Sequence, residues 1–300
     1  MLVNRRRVLW VGASAAVWAA VLYFGILRPL WRRSQAAECA YCPAPTRLPG
    51  REDEEGFTRL GAARPGDWRW TFHEPEQTFE GYIGGLVNRK CEHRSTFYLQ
   101  PLGQASLRYR ETLERMRRHA EAYFGVPARI LDPVPLPDSA YAERRDQYDA
   151  TRIINDLADR HPPDAIAYMG ITEKDLYSAG LNFVFGEGSL HLRCGVYSLH
   201  RFETDDPTLF LRRSLKLLSH EAGHILSIHH CTVWSCVMDG ANNLAEADRQ
   251  PLHLCPVDLR KVLWNTGADR DERYRRLHAL YQDWGLKPES DWVAHRLGLH

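Results

Sequence analysis

His220, Glu221 and His224 stand in the order histidine, glutamate, two residues, histidine, and His230 follows six residues further on. On a helix, histidines four apart lie one turn apart, so both imidazoles project from one side toward a single ion. Glu221 is offset by about 100°. That places it beside the metal rather than on it, where it can take a proton from a zinc-bound water. His230 supplies a third nitrogen, which leaves one position of a tetrahedral ion for water. The chemistry within reach of these residues is metal-assisted hydrolysis.

The element that must carry the motif is a helix, predicted over residues 212–228. On a helical wheel Leu211, Leu215, Leu218, Ala222, Ile225 and Leu226 form one apolar stripe, while His220 and His224 face nearly the opposite way. Such a helix is anchored on a core and presents its histidines to a cleft. Cys231, Cys236, Met238 and Cys255 follow at close spacing.

The run HEAGHILSIHHC, followed by TVWSCVM and then by LCPVDLRK around Cys255, resembles the archaemetzincins, a branch of the metzincin zinc peptidases. The resemblance extends upstream through residues 182–186, 195–198 and 98–103, and more faintly to residues 73–81. It implies an α/β (α+β) zincin domain, a mixed sheet with packed helices. It implies His220, His224 and His230 as ligands of a catalytic Zn2+ and Glu221 as general base. Met238 becomes the methionine of a turn beneath the metal, packed under the imidazoles rather than coordinating. Residues 195–202 correspond to a strand on the rim of the cleft. Gly195, Val196 and Tyr197 would then bind substrate through main-chain pairing at an exposed edge, an ordinary core strand being the alternative. Peptide or protein substrates are implied, with aminopeptidase action as one form.

Two positions depart from the family pattern. Ser227 occupies the place of a glycine that lets the chain turn between the second and third histidines. If a left-handed backbone is needed there, a non-glycine residue costs about 1–2 kcal/mol. If the helix instead ends a residue earlier or later, His229 rather than His230 reaches the metal. Cys231, Cys236 and Cys255 match three of the four cysteines of a second, structural zinc site, whose fourth position is Asp258. A carboxylate can ligate zinc, and His253 or His229 could substitute. The alternative is a degenerate site with Asp258 capping a helix over residues 259–264.

The remaining chain frames this site. After Arg5, Arg6 and Arg7, residues 8–27 run without a charge for about 30 Å, one bilayer core. Residues 1–33 are therefore predicted to hold an N-terminal membrane helix, a single-pass anchor with the catalytic domain on the extracytoplasmic side; a cleaved signal segment is the alternative. Residues 34–66, rich in proline, glycine and charge, read as a flexible tether. Cys39 and Cys42 within it form a disulfide or stand as linker thiols, whereas Cys91 and Cys194 have no evident partner. A net charge of +1 gives no bias toward nucleic acid.

Residues 67–300 suffice for one domain, with an upper part to about 226 and a lower part over 227–300. Strands are predicted at 96–100, 130–136, 164–171, 180–185 and 195–202. Helices are predicted at 106–124, 150–159 and 271–284. The expected activity is zinc-dependent peptide hydrolysis. The competing expectation is a membrane-tethered, peptide-binding zinc protein with little turnover.

Overall fold

The structure is a computed structural model that describes Cys42 and residues 45–299. By its own packing the chain divides into residues 1–43 and residues 44–300.

The second unit contains the helices α1 (Trp68–Thr71), α2 (Phe79–Ile83), α3 (Ala105–Arg108), α4 (Arg110–Phe124), α5 (Ala150–Asp159), α6 (Pro207–Ile225), α7 (Leu244–Arg249), α8 (Pro256–Thr266), α9 (Arg270–Asp283) and α10 (Lys287–Arg296). Its strands are β1 (Thr96–Pro101), β2 (Ala128–Ile130), β3 (Tyr141–Ala142), β4 (Gln147–Asp149), β5 (Ala165–Thr172), β6 (Leu176–Tyr177), β7 (Gly186–Ser189) and β8 (Cys194–Ser198). The main sheet has the order β2-β1-β5-β8-β7; β3, β4 and β6 form a smaller one. In the main sheet β1, β2, β5 and β8 are parallel and only β7 is antiparallel, at the edge.

Side chains alternate across this sheet, as the strand period requires. Phe97, Leu99, Met169, Ile171 and Tyr197 pack with α4 and α6 in one core cluster. Tyr98, Tyr168 and Val196 join Ile153, Ile154 and Leu157 of α5 in the other. Both faces are thus covered, which explains the nearly continuous apolar runs of β1 and β5.

The histidine-bearing helix α6 starts earlier than expected, because Asp206 caps it and Pro207 fits its first turn. It ends in a Schellman turn: Ile228 N–H donates to Gly223 O and Ser227 N–H to His224 O, both at 2.9 Å. The residue in the left-handed position of that turn is Ser227, with φ of 67°.

Several expectations are corrected. Gly195, Val196 and Tyr197 are buried in β8, paired to β5 on one side and β7 on the other, so they offer no free edge; the edge strand is β7. Residues 180–185 form no strand beyond one bridge between Val184 and Leu176. Asp258 does not cap α8, since Cys255 occupies that place.

The portion of the expected tether over residues 52–60 is docked on the domain. Leu60 N–H donates to Val233 O at 2.9 Å and Ser235 N–H to Thr58 O at 2.8 Å. Glu52 pairs with Arg270 at 2.7 Å and Arg296 at 2.6 Å. Cys42 and Cys91 are each disulfide-bonded, and Cys194 is a buried free thiol.

The membrane expectation is also corrected. Among the described residues no helix is long and apolar enough to cross a membrane, and residues 8–27 lie outside them. Even α6, at 19 residues, carries Arg212, Arg213 and Lys216 and spends its apolar stripe on the core. No described helix therefore supports the single-pass anchor, the membrane partner or the membrane localisation drawn from residues 8–27.

Candidate metal centre

One turn of α6 brings His220 and His224 together, and the Schellman turn folds the following chain back so that His230 joins them. Their ligand atoms lie within 4.8 Å of one another. His229 is exposed and outside this group, and its backbone N–H donates to Gln77 Oε1 at 3.1 Å. The left-handed backbone at Ser227 is what completes the reversal. Its Oγ accepts from Asn88 N–H and its carbonyl from Gln77 Nε2, both at 2.9 Å.

Each imidazole is aimed by a separate acceptor. His220 Nδ1 lies 2.8 Å from Val237 O, His224 Nδ1 2.8 Å from Ile228 O and His230 Nδ1 2.7 Å from Glu74 Oε2. A carbonyl oxygen can only accept, so the first two Nδ1 atoms carry hydrogen and each Nε2 keeps its lone pair. His220 Nε2 and His224 Nε2 then face each other at 3.0 Å. Two lone pairs that close repel unless a cation lies between them. The donor set therefore fits a divalent metal, with the outer hydrogen bonds fixing ring orientation. Burial first, and then a neighbouring imidazole (His230 for His220, His220 for His224), push His220 and His224 down to about 3, so the rings stay neutral and available to a metal.

Nothing in the sequence singles out Glu74. It lies 156 residues from His230, in the stretch 73–81 where the resemblance is faint, and it also accepts from Trp68 Nε1 at 3.1 Å.

Glu221 is buried beside the triad. Burial first, then the carboxylate of Glu187, push it up to about 8; a cation at the histidines acts in the opposite sense. Two glycines of β7 make room for it. A Cβ at Gly186 would stand 2.9 Å from Glu221 Oε1, and one at Gly188 would stand 3.0 Å from Glu221 O. Met238 is fully buried, and a Cβ on Gly223 would come within 2.4 Å of its sulfur. The methionine thus packs directly under the helix turn that carries the histidines.

The second group is Cys231, Cys236, Cys255 and Asp258, whose ligand atoms also fall within 4.8 Å of one another. Cys231 Sγ lies 3.8 Å from Cys255 Sγ, and Cys236 Sγ lies 3.4 Å from Asp258 Oδ2. The other oxygen of Asp258 accepts from Lys261 Nζ at 2.8 Å, in a pair 3% exposed on each side. Burial pushes the Cys236 and Cys255 thiols up, so all three can ionise together only around a cation.

A cavity of about 550 Å3 opens over the histidines. Gly186, Glu187 and Gly188 of β7 line one wall, Leu217 and Glu221 of α6 another, and Asp239, Leu244 and Asp248 the floor.

The sequence profile of Peptidase family M54 matches residues 114–263, half of the chain. Archaemetzincin-2 of Pongo abelii is 32% identical over 256 residues, 71% of each chain. The archaemetzincin of Archaeoglobus fulgidus is 34% identical over 165 residues, covering 55% of this chain and 97% of that one. A crystal structure of archaemetzincin from Methanopyrus kandleri is similar with a TM-score of 0.54 at 29% identity, over 60% of this chain and 99% of that one.

Proposed function

Because the chain belongs to the M54 peptidases, the archaemetzincins, and is thereby a zinc metallopeptidase, we propose that it cleaves peptide bonds at the histidine triad. His220, His224 and His230 hold the zinc ion, and Glu221 is the general base. The observation that carries this reading is the outward hydrogen bonding of all three Nδ1 atoms, which leaves three Nε2 lone pairs converging on one point.

When bound there, zinc supplies Lewis acidity, lowering the pKa of water and stabilising negative charge on the carbonyl oxygen. The chain's own residues do the rest. Glu221, buried beside the triad and held as the carboxylate by a cation there, takes the proton of the attacking water and returns it to the leaving amine. The free edge of β7 pairs with the substrate backbone, and Gly186 and Gly188 let β7 itself lie close against Glu221. The cleft then divides an upper part, to about residue 226, from a lower part over 227–300. On the same reading Cys231, Cys236, Cys255 and Asp258 hold a second, structural zinc that ties down the loop bearing His230. The binding-only alternative has no use for a buried glutamate beside the triad.

The test is Glu221→Gln, with bound zinc and peptide cleavage measured together, on substrates with free and blocked N-termini. Zinc should be retained while kcat falls by about 10²–10⁴. Unchanged cleavage would remove Glu221 from the mechanism, and a parent protein that holds no zinc would remove the whole proposal. Cleavage confined to free N-termini would make the enzyme an aminopeptidase.

A further inference from the structure

Along α6, on the face that carries the histidines but nearer the N-terminus of the helix, lies a second cavity of about 350 Å3. Arg212 and Lys216 of α6, Asp248, Arg273 and Tyr274 of α9, and Glu289 of α10 line it. Its charges do not balance. Asp248 is held by Arg213 through contacts of 2.9 and 2.6 Å, and Glu289 by Arg212 through contacts of 2.6 and 3.2 Å. Both carboxylates are therefore already taken in bidentate pairs, while Lys216 and Arg273 add two further cations.

Arg273 is 4% exposed and makes no ion pair among the described residues. Its Nε donates to Tyr123 O at 2.8 Å, and its guanidinium lies over the rings of Tyr123 and Tyr274, 4.3 and 5.4 Å from their centroids. Its Nη2 is buried without a hydrogen-bond partner, and so is the hydroxyl of Tyr274. Lys216 Nζ reaches only neutral carbonyls, Ala247 O at 3.1 Å and Asp248 O at 3.3 Å, two acceptors for three donors. A buried guanidinium without a counter-charge and an idle buried hydroxyl are each costly. Both residues line the cavity, and an acceptor-only anion that reaches the two groups would satisfy them together.

We propose that this cavity binds a small oxyanion, a carboxylate or a phosphate group, through Arg273 Nη2 and the Tyr274 hydroxyl. The site does not depend on the histidine triad. Lys216, Asp248 and Gln250 nevertheless line both cavities, so an occupant here abuts the wall of the cleft. The carboxylate can come from a peptide and the phosphate from solution.

The experiment is calorimetric titration of the full-length, zinc-loaded protein with inorganic phosphate and, separately, with glutarate. Both are repeated on Tyr274→Phe, which deletes only a hydroxyl, and on Arg273→Met. At least one anion should bind saturably, and either substitution should weaken it by about tenfold or more. Binding of phosphate alone identifies a free-oxyanion site, and binding of glutarate alone a carboxylate site. Binding of neither overturns the proposal. So does binding that both variants retain unchanged, because it then resides at the zinc or elsewhere. In that case Arg273 serves only to clamp the Tyr123 carbonyl between two rings.

Discussion

His230 and Cys231 are consecutive, yet the two ligand groups they belong to are built on opposite plans. The histidines are half-buried at the wall of a cleft, and each ring is aimed by an acceptor from a different part of the chain: Val237, Ile228 and Glu74. Cys236, Cys255 and Asp258 are buried, only Cys231 being half-buried, and the one carboxylate is tied to a buried lysine. A centre that must exchange substrate needs ligands held from outside with one face left open. A centre that only fixes a loop can close completely, and its cost is a cluster of buried charge.

Removing one member from each group should separate the two plans most clearly. His224→Ala should abolish cleavage and lower bound zinc by one ion, leaving the cysteine group intact. Cys236→Ser should lower zinc at both centres, since it frees the loop on which His230 sits. Metal analysis of the two variants checks this. Equal and independent losses would show that the neighbouring centres are not coupled through that loop.

Next in size is the buried pair at the closed centre. Asp258→Ala leaves the Lys261 ammonium, 2% exposed, facing only Gln77 Oε1 at 3.1 Å. Unfolding in urea should register a loss of about 3–5 kcal/mol. Asp258→Cys keeps an ionisable partner for Lys261 and completes a four-thiolate set, so the second metal should be held more tightly than in the parent. A loss below about 1 kcal/mol in Asp258→Ala would place the pair among those of surface strength.

At the open centre the corresponding change is Gly186→Ala. The added methyl meets Tyr197 Cβ at 2.8 Å and Glu221 Oε1 at 2.9 Å, so the carboxylate must shift. Cleavage should fall by about tenfold to a hundredfold with zinc retained; activity at the parent level would mean that the carboxylate has slack.

This contrast also explains what could be read from the chain. The helix of His220 and His224, its apolar stripe and most of the sheet were legible because local spacing specifies them. The edge strand was not: Gly186-Glu187-Gly188-Ser189 has almost no β-propensity and becomes a strand only by pairing with β8. The sheet edge was therefore expected one strand too far in. Glu74 was equally hidden, since one carboxylate far along the chain has no periodicity to betray it. The docking of residues 52–60 escaped for a related reason. Composition suggested a tether, but Glu52 finds its two arginines only after α9 and α10 have packed.

The smallest expected effect concerns Ser227, which lies on the turn between the two plans. Its φ of 67° costs a non-glycine residue about 1–2 kcal/mol, and glycine would relieve that strain. Glycine would also delete the Oγ that accepts from the buried Asn88 N–H, worth about 1–3 kcal/mol when left unmatched. A further 0.5–1 kcal/mol or so goes to the greater freedom of glycine in the unfolded chain. The terms nearly cancel, with a remainder of about 1 kcal/mol against Ser227→Gly. Ser227→Ala keeps the strain and loses the bond, so it should be the less stable of the two variants in parallel urea melts. If Ser227→Gly instead proves more stable than the parent, the hydrogen bond to Asn88 is not what allows serine to occupy a glycine's place.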